Sequence, residues 1–376
     1  MGVMEKLIQQ AGLEKVAEKI FSQQRLTPED ALQLYNCNNL QALGFLANIV
    51  RAQKNGNIAT YLKNRYINYS NICILSCQFC SFARKKREPG AFEYAIEEMV
   101  KLAEEAVKEG ATELHIVGGL HPTLSWNYYL EMLQALKTVS AELHLKIFTA
   151  IEIRHLADRF AKKSICETLE ILREHGLGSL TGGGAEIFDS EIRDKICRGK
   201  ETAEEWLEVH RIWHQMGGRS TCTMLYGHVE TYAQRVDHLS QLRQLQDETN
   251  GFTGFIPLPF QPEDNALSHI QKTSGYEDLK NLAVCRLYLD NIPHVTAYWV
   301  GLGVSLAQVA LSYGADDLHG TIMEEKIFHM AGASSPQALT ENKLKQLIRE
   351  TGHEPRQRDS FYQLIENACV KEAVTL

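Results

Sequence analysis

No stretch of about twenty apolar residues occurs anywhere in the 376-residue chain, so no segment reads as a membrane-spanning helix. The opening residues, Met1-Gly-Val-Met-Glu-Lys-Leu-Ile-Gln-Gln, include an acid and lack the apolar stretch of a signal peptide, and Lys6 stands where a myristoylation site needs Ser or Thr. A cytoplasmic location without membrane contact is expected. The net charge is −8 and the basic runs are short, Lys85-Lys86-Arg87 and Lys162-Lys163, so no positive stripe suits a phosphate backbone and nucleic acid is not expected as a partner. No G-x-S-x-G elbow supports serine hydrolase chemistry. His210 and His214 are spaced like the metal pair of a zinc protease, but Arg-Ile-Trp stands between them and the glutamate after the first histidine is missing. No repeat at a solenoid period and no biased tract is visible. Nine cysteines in a reducing compartment point to metal and free thiols and away from a disulfide framework.

A composition of 44% hydrophobic and 8% aromatic residues can bury a large core. The length suits two ordinary domains, or one barrel of about 250 residues with terminal extensions. Residues 4–53 show helical periodicity, and Thr27-Pro28-Glu29-Asp30 opens a helix with a hydroxyl cap, proline in the first turn and acids after it. From Arg65 the texture becomes short apolar runs alternating with amphipathic stretches, the pattern of repeated βα units. Eight strands are expected, over 66–72, 113–117, 146–150, 178–181, 220–226, 252–257, 294–297 and 315–318. Helices are expected between them, over 93–109, 127–141, 165–175, 203–216, 232–249, 276–291 and 302–313, with a further one over 341–352. Eight strands at this spacing predict an α/β fold, a (β/α)8 TIM-type barrel over 59–320, with N-terminal (1–58) and C-terminal (321–376) helical extensions.

The first strand leads into Asn71-Ile-Cys73-Ile-Leu-Ser-Cys77-Gln-Phe79-Cys80. Three thiolates at C-x3-C-x2-C spacing in one loop suit an iron–sulfur cluster with one iron left open, because a closed four-iron site needs a fourth cysteine. In the sequence none is near: Cys37, Cys166, Cys197, Cys222, Cys285 and Cys369 stand singly and read as small core residues. A zinc knuckle is the plain alternative, but it wants a fourth Cys or His close by, and the next histidine, His115, falls inside an expected strand. The basic cluster from Arg84 to Arg87 follows the loop, either as a solvated turn or as an attraction for anionic ligand groups.

Other groups gather at expected strand ends, where barrels of this type keep their chemistry. Gly118-Gly119-Leu120-His121-Pro122 follows the second strand, as a tight turn or as a place where a ligand nears the backbone. Thr181-Gly182-Gly183-Gly184-Ala185-Glu186 follows the fourth; three glycines are costly to order, and no Lys-Ser/Thr follows them as a P-loop requires. Glu186 suits a ribose or an ammonium group, or else caps the next helix. Tyr226-Gly227-His228, the stretch 257–262 with Asn265, and 316–321 with His319 and Thr321 are weaker candidates, of which His319 and Thr321 rank above His228.

With Phe79 before its last cysteine, the loop resembles the C-x3-C-x-Φ-C signature of radical S-adenosylmethionine enzymes, Φ being aromatic. Together with Gly118-Gly119-Leu120-His121-Pro122, Gly182-Gly183-Gly184-Ala185-Glu186-Ile187 and His319-Gly320-Thr321-Ile322-Met323-Glu324-Glu325-Lys326, it resembles over residues 26–336 the group of aminofutalosine synthases, dehypoxanthine futalosine cyclases and deazaflavin synthase subunits. The later motifs look most like the aminofutalosine synthase family of the futalosine route to menaquinone. That resemblance implies a [4Fe-4S] cluster on Cys73, Cys77 and Cys80, and S-adenosylmethionine consumed as substrate. It implies Phe79 by the adenine, and Gly118, Gly119, Gly183, Gly184 and Glu186 around the methionine and ribose. Arg193 and Arg198 are its candidates for the methionine carboxylate. The implied reaction adds the 5′-deoxyadenosyl radical to 3-[(1-carboxyvinyl)oxy]benzoate, with loss of a carboxylate, to give 6-amino-6-deoxyfutalosine. Partners would be that small aromatic dicarboxylate and an electron donor such as a flavodoxin or ferredoxin. Arg84, His121 or His319 would meet its carboxylates, His121 and His319 also being catalytic candidates. The sister cyclase or a deazaflavin-synthase-like enzyme is the enzymatic alternative, and a structural or electron-transfer metal module the non-enzymatic one.

Overall fold

Residues 2–365 are described by the structure, a computed structural model. Four helices open the chain, Val3–Gln10, Glu14–Phe21, Pro28–Asn36 and Leu40–Asn55. The third begins as its sequence dictates: Thr27 accepts from the Asp30 amide, the Asp30 carboxylate returns a bond to the Thr27 amide at 2.7 Å, and Pro28 occupies the first turn. Helices two and three pack inward through Val16, Ile20, Leu34 and Tyr35, and the Tyr35 hydroxyl donates to Asn281 Oδ1 at 2.8 Å in the later helix Gly275–Tyr288.

The strands are β1 (Ile58–Leu62), β2 (Asn64–Ile67), β3 (Glu113–Ile116), β4 (His144–Ile147), β5 (Ser220–Tyr226), β6 (Phe252–Pro259), β7 (His294–Val295), β8 (Asp317–Gly320) and β9 (Glu354–Gln357). Every strand pair is parallel, in the orders β8-β1-β9, β2-β3-β4 and β5-β6-β7. Single parallel bridges link these groups: Lys146↔Ser179 and Leu180↔Ser220 span from β4 to β5, and Thr296↔Asp317 spans from β7 to β8. Beyond β8, the Ile322 carbonyl accepts from the Tyr66 amide in β2 at 2.8 Å.

Of the eight expected strands, the first is displaced. It starts earlier, as β1 and β2 separated by Lys63, and ends at Ile67 because Ser70 and Asn71 turn away to bind the 84–92 loop. Asn71 brackets that loop, donating to Gly90 O at 2.9 Å and accepting from the Phe92 amide at 2.8 Å. The strand expected over 146–150 stops at Ile147, where Phe148 takes φ 65° and Thr149 caps the helix Ala150–His155. The strand expected over 178–181 is reduced to its two bridges.

The region after residue 320 is not purely helical. It contains Ile327–Met330 and Glu341–Glu350, then β9, which lies against β1 in the register Thr60↔Arg356. Arg358, just past β9, donates to both carboxylate oxygens of Asp317, at 2.6 and 3.1 Å, with both side chains buried. Tyr362 stacks on His294, the first residue of β7, and its hydroxyl lies 2.9 Å from that of Thr296. The end of the described chain therefore packs over the amino-terminal ends of the strands, opposite the loops that carry the cysteines. Cys37, Cys197, Cys222 and Cys285 are buried as expected, Cys166 is exposed, and Cys369 lies outside the described residues. His210 and His214 both contact Ser220 Oγ at 2.8 Å, a structural arrangement. Among the described residues no helix is long and apolar enough to cross a membrane.

Candidate active site

A cavity of about 290 Å³ opens at the carboxyl ends of the strands, walled by Cys73, Cys77, Phe79 and Cys80, by Gly118 and Gly119, by Gly182, Gly183, Gly184 and Glu186, and by Tyr66, His115 and His319. The sequence motifs that lie far apart in the chain thus share one space. All three loop cysteines are free thiols and partly exposed.

The cysteine loop is held from several sides. The Lys85 ammonium donates to the carbonyls of Cys73, Ile74 and Leu75 at 3.1, 3.1 and 2.8 Å, an arrangement that orders the loop through three acceptors. The Leu120 amide points at Cys73 Sγ from 3.4 Å, and the Gln78 amide donates to Ile196 O at 2.7 Å. Arg84, one of the expected carboxylate partners, instead donates to Ser81 O and Ala83 O and fixes the loop's exit. Burial pushes the Cys77 thiol up to about 12, opposed by the Lys200 charge, so an apolar pocket holds a thiol there until iron takes its place. Among the described residues no trio of His, Cys, Asp or Glu converges as a single-ion site requires. Three thiols on one short loop suit a cluster that brings its own iron and sulfide.

The glycines that line the cavity also answer to close packing. A side chain on Gly118 would meet the Tyr69 ring at 2.5 Å, and one on Gly119 would meet the Ile72 carbonyl at 2.4 Å. Both are small because the cysteine loop packs on them. Gly182 is constrained likewise by the β5 backbone, whereas a Cβ on Gly183 would meet only the Thr149 methyl, at 3.0 Å. Gly184 needs its φ of +87°.

Three of the expected contacts are corrected. Arg193 is buried and spent on the loop itself, donating to Ala185 O at 2.6 Å, Ile187 O at 3.1 Å and Glu201 O at 3.0 Å. Arg198 is exposed, pairs with Asp194 at 2.8 Å, and does not wall the cavity. His121 is turned out of the cavity, its Nδ1 accepting from the Thr123 and Leu124 amides and its Nε2 lying 2.8 Å from Glu93. His228 is likewise occupied, by Glu230 and Leu225 O, and Thr321 by Asn64 O.

The cation that does reach the cavity is Lys200. Its ammonium lies 2.5 Å from Glu186 Oε1 and 5.8 Å from the centre of the Phe79 ring. Burial alone would lower it, but Glu186 and Glu201 hold it above its ordinary value, so it is charged. Cys197 also comes into electrostatic range of Cys77. Glu152, a second addition, accepts from the Gly118 amide at 3.0 Å, Tyr69 Oη at 2.8 Å and the Thr149 amide at 2.8 Å, tying the second strand-end loop to the third. Its Thr149-x-x-Glu152 capping box was readable in the sequence.

Opposite, Ile327 and Phe328 form a wall whose helix is capped by buried Glu325, which accepts from their amides at 2.8 and 2.9 Å. His329 faces oxygen on both ring nitrogens: Nδ1 lies 2.7 Å from Glu325 O and 3.1 Å from Glu325 Oε2, and Nε2 lies 2.8 Å from Ser335 O. Only the imidazolium satisfies both, and the Glu325 carboxylate raises its pKa to about 8. A group raised in the folded state stabilises fully below its unfolded value near 6.5 and loses that contribution as pH rises through about 8. The thermal stability gap between the wild type and His329→Gln should therefore be open at pH 6 and close by pH 9. A gap independent of pH would place the charge elsewhere.

The Radical SAM superfamily model matches residues 67–242, and that of the CofH/MqnC C-terminal region matches 249–370. The chain is 44% identical to the aminodeoxyfutalosine synthase of Thermus thermophilus, over 92% of this chain and 94% of that one. It belongs to the radical SAM superfamily. This enzyme is also 45% identical to the aminodeoxyfutalosine synthase of Streptomyces coelicolor, across 94% of this chain and 95% of the relative. Its identity to the 5-amino-6-(D-ribitylamino)uracil–L-tyrosine 4-hydroxyphenyl transferase of Archaeoglobus fulgidus is 40%, with coverage of 85% and 93%. In fold it is similar to methylornithine synthase, with a TM-score of 0.72 at 20% identity, covering 90% of this chain and 96% of that one.

Proposed function

We propose that this radical SAM enzyme is an aminodeoxyfutalosine synthase acting on 3-[(1-carboxyvinyl)oxy]benzoate in menaquinone biosynthesis. The observation that carries the reading is the junction of the cysteine loop with the Glu186–Lys200 pair and Phe79 on one cavity, in a chain whose 44–45% identical relatives bear that name. Cys73, Cys77 and Cys80 would hold a [4Fe-4S] cluster, which with bound S-adenosylmethionine supplies a 5′-deoxyadenosyl radical.

The chain's own residues bind and orient. Lys200, in place of Arg193 and Arg198, offers a charge to the methionine carboxylate; Glu186 accepts from the ribose or the ammonium group, and Phe79 packs on the adenine. Gly183 leaves open the approach to these groups. Ile327 and Phe328 shield the cavity from water. No general base is needed for addition to an alkene. The parallel pairings support an eight-stranded barrel over 59–320 with extensions at both ends, working in the cytoplasm with a flavodoxin or ferredoxin as electron donor.

A second reading is favoured by the 40% identity to the tyrosine 4-hydroxyphenyl transferase. S-adenosylmethionine labelled in its ribose separates the two. The synthase places the label in a covalent nucleoside–benzoate adduct, with one cofactor consumed per product. Label found only in free 5′-deoxyadenosine, with either a hydroxyphenyl-transferred uracil or a cyclised nucleoside as the other product, would reject it.

A further inference from the structure

The cavity is mixed in character. Its cysteines stand on the loop beyond β2, Leu225, Ile256, Leu258 and Phe328 give it an apolar lining, and Tyr66, His115 and His319 on β2, β3 and β8, with Thr221 and Thr223 on β5, give it polar groups from within the strands. The Tyr66 ring stacks on His115 with centroids 4.3 Å apart, and its hydroxyl lies 3.0 Å from His319 Nε2. His115 Nδ1 and His319 Nδ1 are both buried and have no hydrogen-bond partner among the described residues. Burial keeps both imidazoles neutral, each near 3. A neutral imidazole carries one N–H, and the direction of the Tyr66–His319 bond follows the tautomer: when Tyr66 donates to Nε2, the His319 proton sits on Nδ1. Lys146, on β4 in register with His115, is buried, and its charge is opposed by burial and supported by Glu113. His319 also takes φ 65°, a left-handed conformation rare for a residue with a side chain and characteristic of functional sites. Unpartnered buried ring nitrogens are costly, and a ligand group that accepts from the imidazole N–H would satisfy them.

We infer that this end of the cavity is a carboxylate subsite, in which the His115 and His319 imidazoles receive the ring carboxylate of an aromatic acid whose arene lies against the apolar lining. The inference rests on the synthase reading for the rest of the substrate: a meta substituent on such a ring points back toward the cysteine loop, where the enol ether has to lie.

The test is calorimetric titration of the cluster-reconstituted full chain with 3-methoxybenzoate and with its neutral counterpart 3-methoxybenzamide. The wild type should prefer the acid by about ten- to a hundredfold, the range of a charge-assisted hydrogen-bond pair. His115→Leu should remove most of that preference and His115→Gln, which restores a donor, should recover part of it. His319→Asn tolerates the left-handed backbone but falls short of the carboxylate, and should lose the preference too. S-adenosylmethionine affinity, measured on the same samples, should not move, which shows that the variants are folded. Equal binding of acid and amide by the wild type, or a preference that survives the substitutions, overturns the subsite. Turnover of the enolpyruvyl benzoate is scored separately: a preference for the acid without turnover leaves the subsite standing and rejects the synthase.

Discussion

Cys80→Ala should bring the iron content after anaerobic reconstitution from about four per chain to near zero, and abolish cleavage of S-adenosylmethionine with it. The expectation is strict because, on the proposed assignment, three thiols would supply the whole protein side of the cluster, and two would leave it underligated. Cys197 makes the test discriminating. It is buried, and its charge registers at Cys77, which makes it the control for the loop cysteines. It does not wall the cavity, however, and Cys197→Ala should keep both iron and cleavage. Full iron in Cys80→Ala, or loss of iron in Cys197→Ala, would redraw the ligand set.

The second large effect belongs to Lys200. Lys200→Met should weaken S-adenosylmethionine binding by about ten- to a hundredfold through loss of a charge-assisted contact. It also strands Glu186, a partly buried carboxylate left without its cation, at a cost of about 3–5 kcal/mol when one partner of a buried pair is removed. The double variant Lys200→Met/Glu186→Gln separates the two effects. It should recover thermal stability by neutralising the stranded acid while cofactor affinity stays low. Recovery of affinity together with stability would mean that Lys200 serves only the fold.

The cysteine loop could be read from the sequence because its chemistry is local: three ligands and an aromatic within a few residues need no tertiary information. The strand-end glycines mark loops that line the cavity, and at Gly118 and Gly119 the packing of Tyr69 and the Ile72 carbonyl also requires a small residue. Lys200 escaped notice because it sits in Arg198-Gly199-Lys200-Glu201, a run indistinguishable from a solvated turn until folding buries it against Glu186. Arg193 and Arg198, which the family resemblance offers from the segment after Glu186, do not meet the cavity, because one is spent on carbonyls and the other faces water. His121 is a turn residue that its proline already hinted at. His115 looked like one more position in a core strand, and only the stacking on Tyr66 sets it beside His319. The strand β9 was invisible because Glu-Pro-Arg-Gln has neither apolar alternation nor β-branched residues; it pairs along one side only, where a proline is tolerated.

The place of β9 has a consequence for biosynthesis. β1 leaves the ribosome long before its two sheet neighbours, β8 and β9, are made. Until they arrive, the nascent chain presents β1 with two open edges, and pairings of such long sequence separation form slowly. A chain terminated just before Glu354 would keep every cavity residue and still leave one β1 edge bare and Asp317 buried without Arg358. Such a truncated product, complete in all its catalytic groups, should accumulate as aggregate.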